Sequence, residues 1–305
     1  MAIGYAQIVQ RRKKMMNRTF ETICRMSQVD LKKYVANELK KTHDKVINKD
    51  GFVYAQGTFP VLLVAHLDTV HKYVIRTVVY DNKKQSISSP QGIGGDDRCG
   101  VYMILQIIKK HHCSVLFCED EEIGAVGAEK FTQWKSAQKL TYNYIIEFDR
   151  RGKNDAVFYD CDNEDFEEFI TKDFYKTSFG SFSDISTLAP FLGCAAVNLS
   201  CGYYNAHTES EYVVLPEMQA SIDAACKILA RTTEEDVYEY IEAKYSYSAF
   251  DGWSYLDDDY LVEYINDYGD VDYEKVSASS KAEAVGKFCM EHPNVPYSSL
   301  FVMEI

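Results

Sequence analysis

Residues 61–71 read VLLVAHLDTVH, an apolar run of five followed at once by a histidine and, two places on, an aspartate. In a chain otherwise rich in charge, five apolar residues in a row predict a central strand of a sheet covered on both faces. Side chains two apart on a strand point the same way, so His66 and Asp68 emerge together at the strand's C-terminal end. That end is where an open α/β sheet keeps its site. A metal-binding histidine usually donates its second ring N–H to a carboxylate, and Asp68 stands where it can accept it. The triplet by itself reads equally as a strand running into a polar loop; the segments downstream tip the balance.

GIGGDDRCGVYMILQIIKK, residues 92–110, sets glycines just before two adjacent acids, Asp96 and Asp97, and then a buried helix from Val101. Such acids can be no more than helix caps, but here they follow a glycine-rich approach to another polar cluster. SVLFCEDEEIGAVGAEKF, residues 114–131, has a core strand running directly into four acids, Glu119 to Glu122, then Gly124 and a helix. An acidic run is commonly a solvated face, yet with no spacer after a core strand some of these carboxylates must lie at the sheet edge. YNYIIEFDRRG, residues 142–152, ends a third strand on Asp149, and CAAVNLS, residues 194–200, precedes a loop carrying His207. His207 gains weight because it follows a fifth strand-like run of what reads as one sheet.

Upstream, apolar residues from Phe20 to His43 recur at helical spacing with a break at Ser27–Asp30, predicting two packed helices; NKDG at 48–51 is a turn before a short strand, and another strand is expected over Tyr73–Tyr80. Helices are expected near 164–174, after Asp184 and over 216–230. The fold class is therefore α/β, with a mixed, mostly parallel central sheet and helices on both faces. The domain from 20 to 231 carries the polar strand ends, after a frayed N-terminus at 1–19 whose Arg11–Lys14 reads as a solvated basic turn. From 232 to 305 the chain becomes acidic and Tyr-rich, with nine Asp and Glu and no Lys or Arg over Asp251–Glu274. That stretch reads as a small α+β appendage and a site for a protein partner.

With 305 residues, 46% hydrophobic and 26% charged, the chain can bury one large core and a small second unit. A formal net charge of -13 argues against nucleic acid or an anionic membrane as the main partner, both of which need a basic face. Nine cysteines, an odd number with no C-x-x-C pair, several inside apolar runs, predict reduced thiols and a cytoplasmic location. The N-terminus lacks the charge-then-apolar order of a secretory signal, and no run is long enough to span a bilayer.

Two imidazoles and three carboxylates, one of them free to bridge, are what a pair of borderline divalent ions needs, and zinc suits that N and O set. A remaining glutamate could take a proton from a water, as in metal-assisted hydrolysis. VAHLDTV, GGDDRCG, CEDEEIG, EFD and AHTESEYV, in this order from Val61 to about Leu229, resemble the motifs of the co-catalytic zinc exopeptidases, the superfamily of peptidase T, acetylornithine deacetylase and leucine aminopeptidase. The resemblance implies two divalent ions per chain, zinc or else cobalt or manganese. Asp96 would bridge them, His66 and Asp149 would complete one site, and Glu122 and His207 the other. It implies Glu121 as general base, Asp68 orienting His66, and a cis peptide between Asp96 and Asp97.

The chain departs from that pattern where peptidase T and the deacetylases insert a lid domain. The interval from Asp149 to His207 is too short for one, since domains usually run to about 100–150 residues. A compact aminopeptidase acting on a peptide or small amide is the expectation, with Tyr203 or Tyr204 as candidate oxyanion donors. An aminopeptidase needs an acid for the substrate's α-amine, which Glu119, Asp120, Asp184 or Glu209 could offer. A deacylase of N-acyl amino acids, the alternative hydrolase, needs a cation for a carboxylate, and Arg98 and Arg150 keep that open. A metal-binding scaffold without catalysis is the non-enzymatic alternative.

Overall fold

The computed structural model describes residues 18–178, 180, 182–243, 258–265, 271–278, 284–285, 287–288, 292, 295 and 300–304. The Arg11–Lys14 turn and much of the acidic α+β appendage lie outside the described residues. The chain divides into two compact units, Met1–Lys244 and Tyr245–Ile305.

The first unit is built on an eight-stranded mixed sheet. Its strands are β1 (Lys45–Lys49), β2 (Phe52–Gln56), β3 (Phe59–His66), β6 (Cys113–Cys118), β7 (Tyr144–Arg150), β8 (Asp155–Val157), β9 (Lys176–Thr177) and β10 (Ala196–Ser200). They are ordered β1-β2-β6-β3-β7-β10-β8-β9. β3 is central and parallel to both neighbours, pairing His66 with Cys118 on one side and Val64 with Glu147 on the other. The parallel run ends with β10 beside β7.

Alternation along β3 feeds two cores, as a strand covered on both faces requires. Val61, Leu63 and Ala65 pack on one face with α1 (18–24), α2 (Gln28–Leu39), α3 (Gly95–Ile107) and α7 (Leu215–Arg231). Leu62 and Val64 pack on the other with α4 (Val126–Thr132) and α6 (Asp184–Leu192). The expected break between the first two helices is an N-cap: Ser27 Oγ accepts the Asp30 N–H at 3.2 Å. NKDG closes the β1–β2 hairpin with Gly51 at φ +88°, a conformation that favours glycine.

A second, four-stranded antiparallel sheet joins β4 (Val79–Asp81), β5 (Ser86–Ser88), β11 (Tyr203–Tyr204) and β12 (Tyr212–Val214). It corrects the strand expected over Tyr73–Tyr80. Only the end of that segment is extended, because its partner β5 offers three residues, from Val79↔Ser88 to Asp81↔Ser86, and Tyr73 and Val74 are exposed loop. After α7 the chain does not leave the first unit at once: Glu239 and Glu242 bridge to Cys194 and Cys161, and Tyr238 packs on Phe166 of α5 (Glu164–Thr171).

The second unit has an antiparallel sheet of β13 (Asp258–Ile265), β14 (Val271–Ala278) and β15 (Phe301–Glu304), with β13 in the middle. Val262 and Phe288 are fully buried in its small core. Among the described residues no helix is long and apolar enough to cross a membrane.

Candidate metal centre

The polar residues singled out in the sequence converge at the C-terminal ends of β3, β6 and β7. His66 closes β3 with its side chain buried, and its Nε2 lies 3.1 Å from Asp96 Oδ1 and 3.5 Å from Asp149 Oδ1. On the other side His207 Nε2 lies 3.2 Å from Asp96 Oδ2 and 3.1 Å from Glu122 Oε2. The two oxygens of Asp96 thus face different imidazoles. Donor atoms of His66, Asp96 and Asp149 lie within 4.8 Å of one another, as do those of Asp96, Glu122 and His207.

The backbone around this carboxylate is irregular. α3 is regular only beyond Asp97, because Asp96 and Asp97 keep non-helical dihedrals and the bond between them is cis. Asp97 turns inward instead of joining the cluster: its oxygens accept the His66 N–H at 3.2 Å and the Gly100 N–H at 2.7 Å. Asp68 lies 3.2 Å from His66 Nδ1 and also accepts the N–H groups of Glu121 and Glu122, each at 3.1 Å.

Carboxylates dominate the electrostatics. Burial, followed by the charge of Asp96, raises Asp149 to about 6 despite the His66 hydrogen bond. Glu121 is pushed to about 9 by burial and by Asp149, Asp184 and Glu122, against the opposing pull of His66. Asp184 is raised to about 7 by burial, and Glu147 and Asp97 well above the carboxylate range for the same reason. Burial works against Asp96 too, but the hydrogen bonds from His207 and His66 outweigh it and hold the group low. His207 is raised to about 10 by its hydrogen bonds to Asp96 and Glu122.

These observations fit a pair of divalent cations. Two imidazoles with four acids close by leave an excess of negative charge that like-charge repulsion penalises and cations would offset. Glu122 Oε1 is buried with no hydrogen-bond partner, an oxygen with an open lone pair beside His207. The set of imidazole nitrogens and carboxylate oxygens suits zinc and its neighbours.

Several residues of the cluster are given no role by the motif reading, Glu147 among them although it opens the EFD motif. Glu147 sits two residues before Asp149 on β7, fully buried, and the Ser183 hydroxyl lies 2.5 Å from Glu147 Oε2 and 3.1 Å from Asp149 Oδ2. Asn198 Oδ1 accepts the Asp149 N–H at 2.8 Å. The strand period was the available signal for Glu147, since i and i+2 share a face.

Other candidates are engaged elsewhere. Glu119 is ion-paired to Lys32 and accepts the Gly51 N–H, and Asp120 accepts from Gln28 at 3.0 Å. Asp184 is fully buried, whereas Glu209 is exposed in the His207 loop. Arg98 is buried and donates to the carbonyls of Leu67 and Met26; Arg150 pairs with Asp155 at 3.4 Å. The Tyr203 hydroxyl donates to Asp149, 3.1 Å from its carbonyl oxygen, and that of Tyr204 donates to Glu217 at 2.6 Å.

The fold is similar to that of several solved aminopeptidases and tripeptidases. A tripeptidase from Staphylococcus aureus subsp. aureus Mu50 superposes with a TM-score of 0.59 at 13% identity, covering 72% of this chain and 99% of that one. Aminopeptidase PepT from Bacillus cereus gives 0.57 at 13% identity, with 71% and 98% covered. An aminopeptidase from the archaeon Desulfurococcus kamchatkensis gives 0.56 at 16%, with 74% and 97% covered. No protein-family profile and no curated protein matches the sequence.

Proposed function

We propose that the chain is a two-metal hydrolase of peptide or amide bonds, an aminopeptidase acting on peptides. The observation that carries this is Asp96 between two histidines, each completed by a second acid, with Glu121 beside them. In this reading His66, Asp96 and Asp149 hold one ion, and Asp96, Glu122 and His207 the other. Divalent ions bound there supply polarisation of the scissile carbonyl and acidify water.

The chain's own residues do the rest. Glu121 takes a proton from the attacking water and returns it to the leaving amine nitrogen. A carboxyl near 9 is protonated at neutral pH and cannot act as a base; cations beside it would bring it down to where it can. Asp68 fixes the His66 ring and, by accepting the Glu121 N–H, the peptide that carries Glu121.

The aminopeptidase reading is favoured over a deacylase because Arg98 is buried against the carbonyls of Leu67 and Met26 and Arg150 already faces Asp155 at 3.4 Å. Glu209, exposed two residues after His207, is the acid we assign to the α-amine. The eight described cysteines are free and buried, which supports work in a reducing compartment, the cytoplasm.

The test is hydrolysis of aminoacyl amides, unblocked dipeptides and N-acetyl amino acids before and after chelation and restoration with zinc or cobalt. Metal-restored cleavage confined to free amino termini is expected. Cleavage of the acetylated set alone would establish the deacylase instead, and two bound metals with no cleavage of any member would favour a scaffold.

A further inference from the structure

We infer that Glu211, backed by His71, is the positioning residue that sets the backbone of Asp96 for bridging two metals; this rests on the two-metal reading above. Glu211 is fully buried, and its carboxylate gathers three donors from two other loops. Oε2 accepts the Gly94 N–H at 2.7 Å and lies 2.8 Å from His71 Nε2, while Oε1 accepts the Asp96 N–H at 3.0 Å. Because a carboxylate can only accept, His71 carries its proton on Nε2.

Those contacts join three of the motif-bearing loops. His71 is five residues beyond His66, Gly94 and Asp96 flank the irregular start of α3, and Glu211 is four residues beyond His207. A single carboxylate therefore ties the loops of both histidines to the peptide of the acid that faces them both. Packing enforces the arrangement. A Cβ at Gly95 would come within 2.7 Å of Val213, 2.8 Å of Tyr203 and 3.2 Å of Glu211 Oε1, so this turn closes on Glu211 only with glycine there. A Cβ at Gly92 would collide with the His71 ring.

Two N–H bonds to the carboxylate, one on each oxygen, fix both the height and the rotation of the Gly94–Asp96 turn. Asp96 Oδ1 and Oδ2 can then face His66 and His207 at near-equal distances of 3.1 and 3.2 Å. Rotating that peptide moves one oxygen off its histidine. Glu211 has no part in proton transfer; its effect is on where Asp96 points.

The experiment uses the full chain and the metals alone. Glu211→Gln keeps the shape but turns one acceptor into an N–H donor facing another N–H. Metal-free wild type and variant are titrated with zinc by calorimetry, and their cobalt forms are compared by visible absorption. Expected for E211Q are a ten- to hundredfold loss of zinc affinity, the usual cost of removing a partner that orients a ligand, and an altered cobalt spectrum. His71→Ala is expected to show part of the same loss and His71→Gln, whose amide can still donate to Glu211, to recover it. If folded E211Q binds zinc with wild-type affinity and an unchanged cobalt spectrum, and only melts earlier, Glu211 is a structural residue and the inference falls. If wild-type protein binds no zinc, the two-metal reading fails and takes the inference with it.

Discussion

Asp68 accepts the backbone N–H of Glu121 at 3.1 Å with the same oxygen that lies 3.2 Å from His66 Nδ1. One carboxylate therefore sets both the tautomer of a candidate metal ligand and the position of the candidate base. Asp68→Asn keeps the volume, but its amide must present N–H either to an N–H of the 121–122 turn or to His66 Nδ1. We expect kcat/KM to fall about 10- to 100-fold with a parallel loss of zinc affinity. Steady-state kinetics and zinc titration on one preparation check it; a variant that loses neither removes Asp68 from the site.

Glu121→Gln separates chemistry from metal binding. Glu121 belongs to neither group of converging donors, so the variant is expected to hold the same metal content as wild type. Hydrolysis should fall about 10²- to 10⁴-fold, the usual contribution of general acid–base catalysis. Metal analysis beside kcat decides it, and near wild-type turnover would remove Glu121 from its role.

Strand ends were the legible part of this molecule. An apolar run that stops on a histidine or an acid announces both the core strand and the place where it surfaces, and His66, Asp149 and the acids after Cys118 stand at such stops. The apolar residues of the 73–78 segment look like a strand, but its pairing partner, β5, is three residues long; pairing is not encoded locally. Glu211, although it lies within AHTESEYV, and Ser183 give no sequence sign of the groups they bind, for a related reason. Their partners lie 115 and 36 residues away in sequence, and only the folded sheet brings them together.

Gly100→Ala tests how closely α3 approaches β7. A Cβ there would collide with the Phe148 carbonyl oxygen and stand 2.5 Å from both carboxylate oxygens of Asp97. Backbone on one side and a fully buried carboxylate on the other leave nothing flexible to give way. Overpacking of this kind usually costs about 1–3 kcal/mol, and here it also pushes Asp97 from the His66 N–H that it holds. A lowered midpoint in urea with weakened zinc binding is expected, and an unchanged midpoint would mean that the helix can shift freely.

Removing metal should invert the pH dependence of stability. In the metal-free protein Asp149 sits at about 6, Asp184 at about 7 and Glu121 at about 9, each raised first by burial. A group raised on folding contributes stability that is fully present below its unfolded pKa, near 4 for a carboxyl, and lost as pH rises through the folded value. His207, raised to about 10 by Asp96 and Glu122, acts in the same sense, its contribution being lost as pH rises from about 6.5 towards 10. Asp96, held low, opposes them only below about pH 4, outside the window that matters. The raised groups agree in slope between pH 5 and 8 and outweigh His43 and His111, whose imidazoles burial holds below 6.5 and whose slopes run the other way up to that pH, so chelated protein should melt at a higher temperature at pH 5.5 than at pH 8. One extra proton held by the folded state across about three pH units is worth about 4 kcal/mol, or about 10 °C in a unit of this size. Zinc needs the same carboxylates and imidazoles deprotonated, so the gain in melting temperature on adding it should grow as pH rises. Melting curves with and without zinc at several pH values check both slopes. Chelated protein that grows more stable from pH 5.5 to 8 would mean that the buried acids are ionised and compensated without metal, and the charge argument for a two-cation centre would lose its basis.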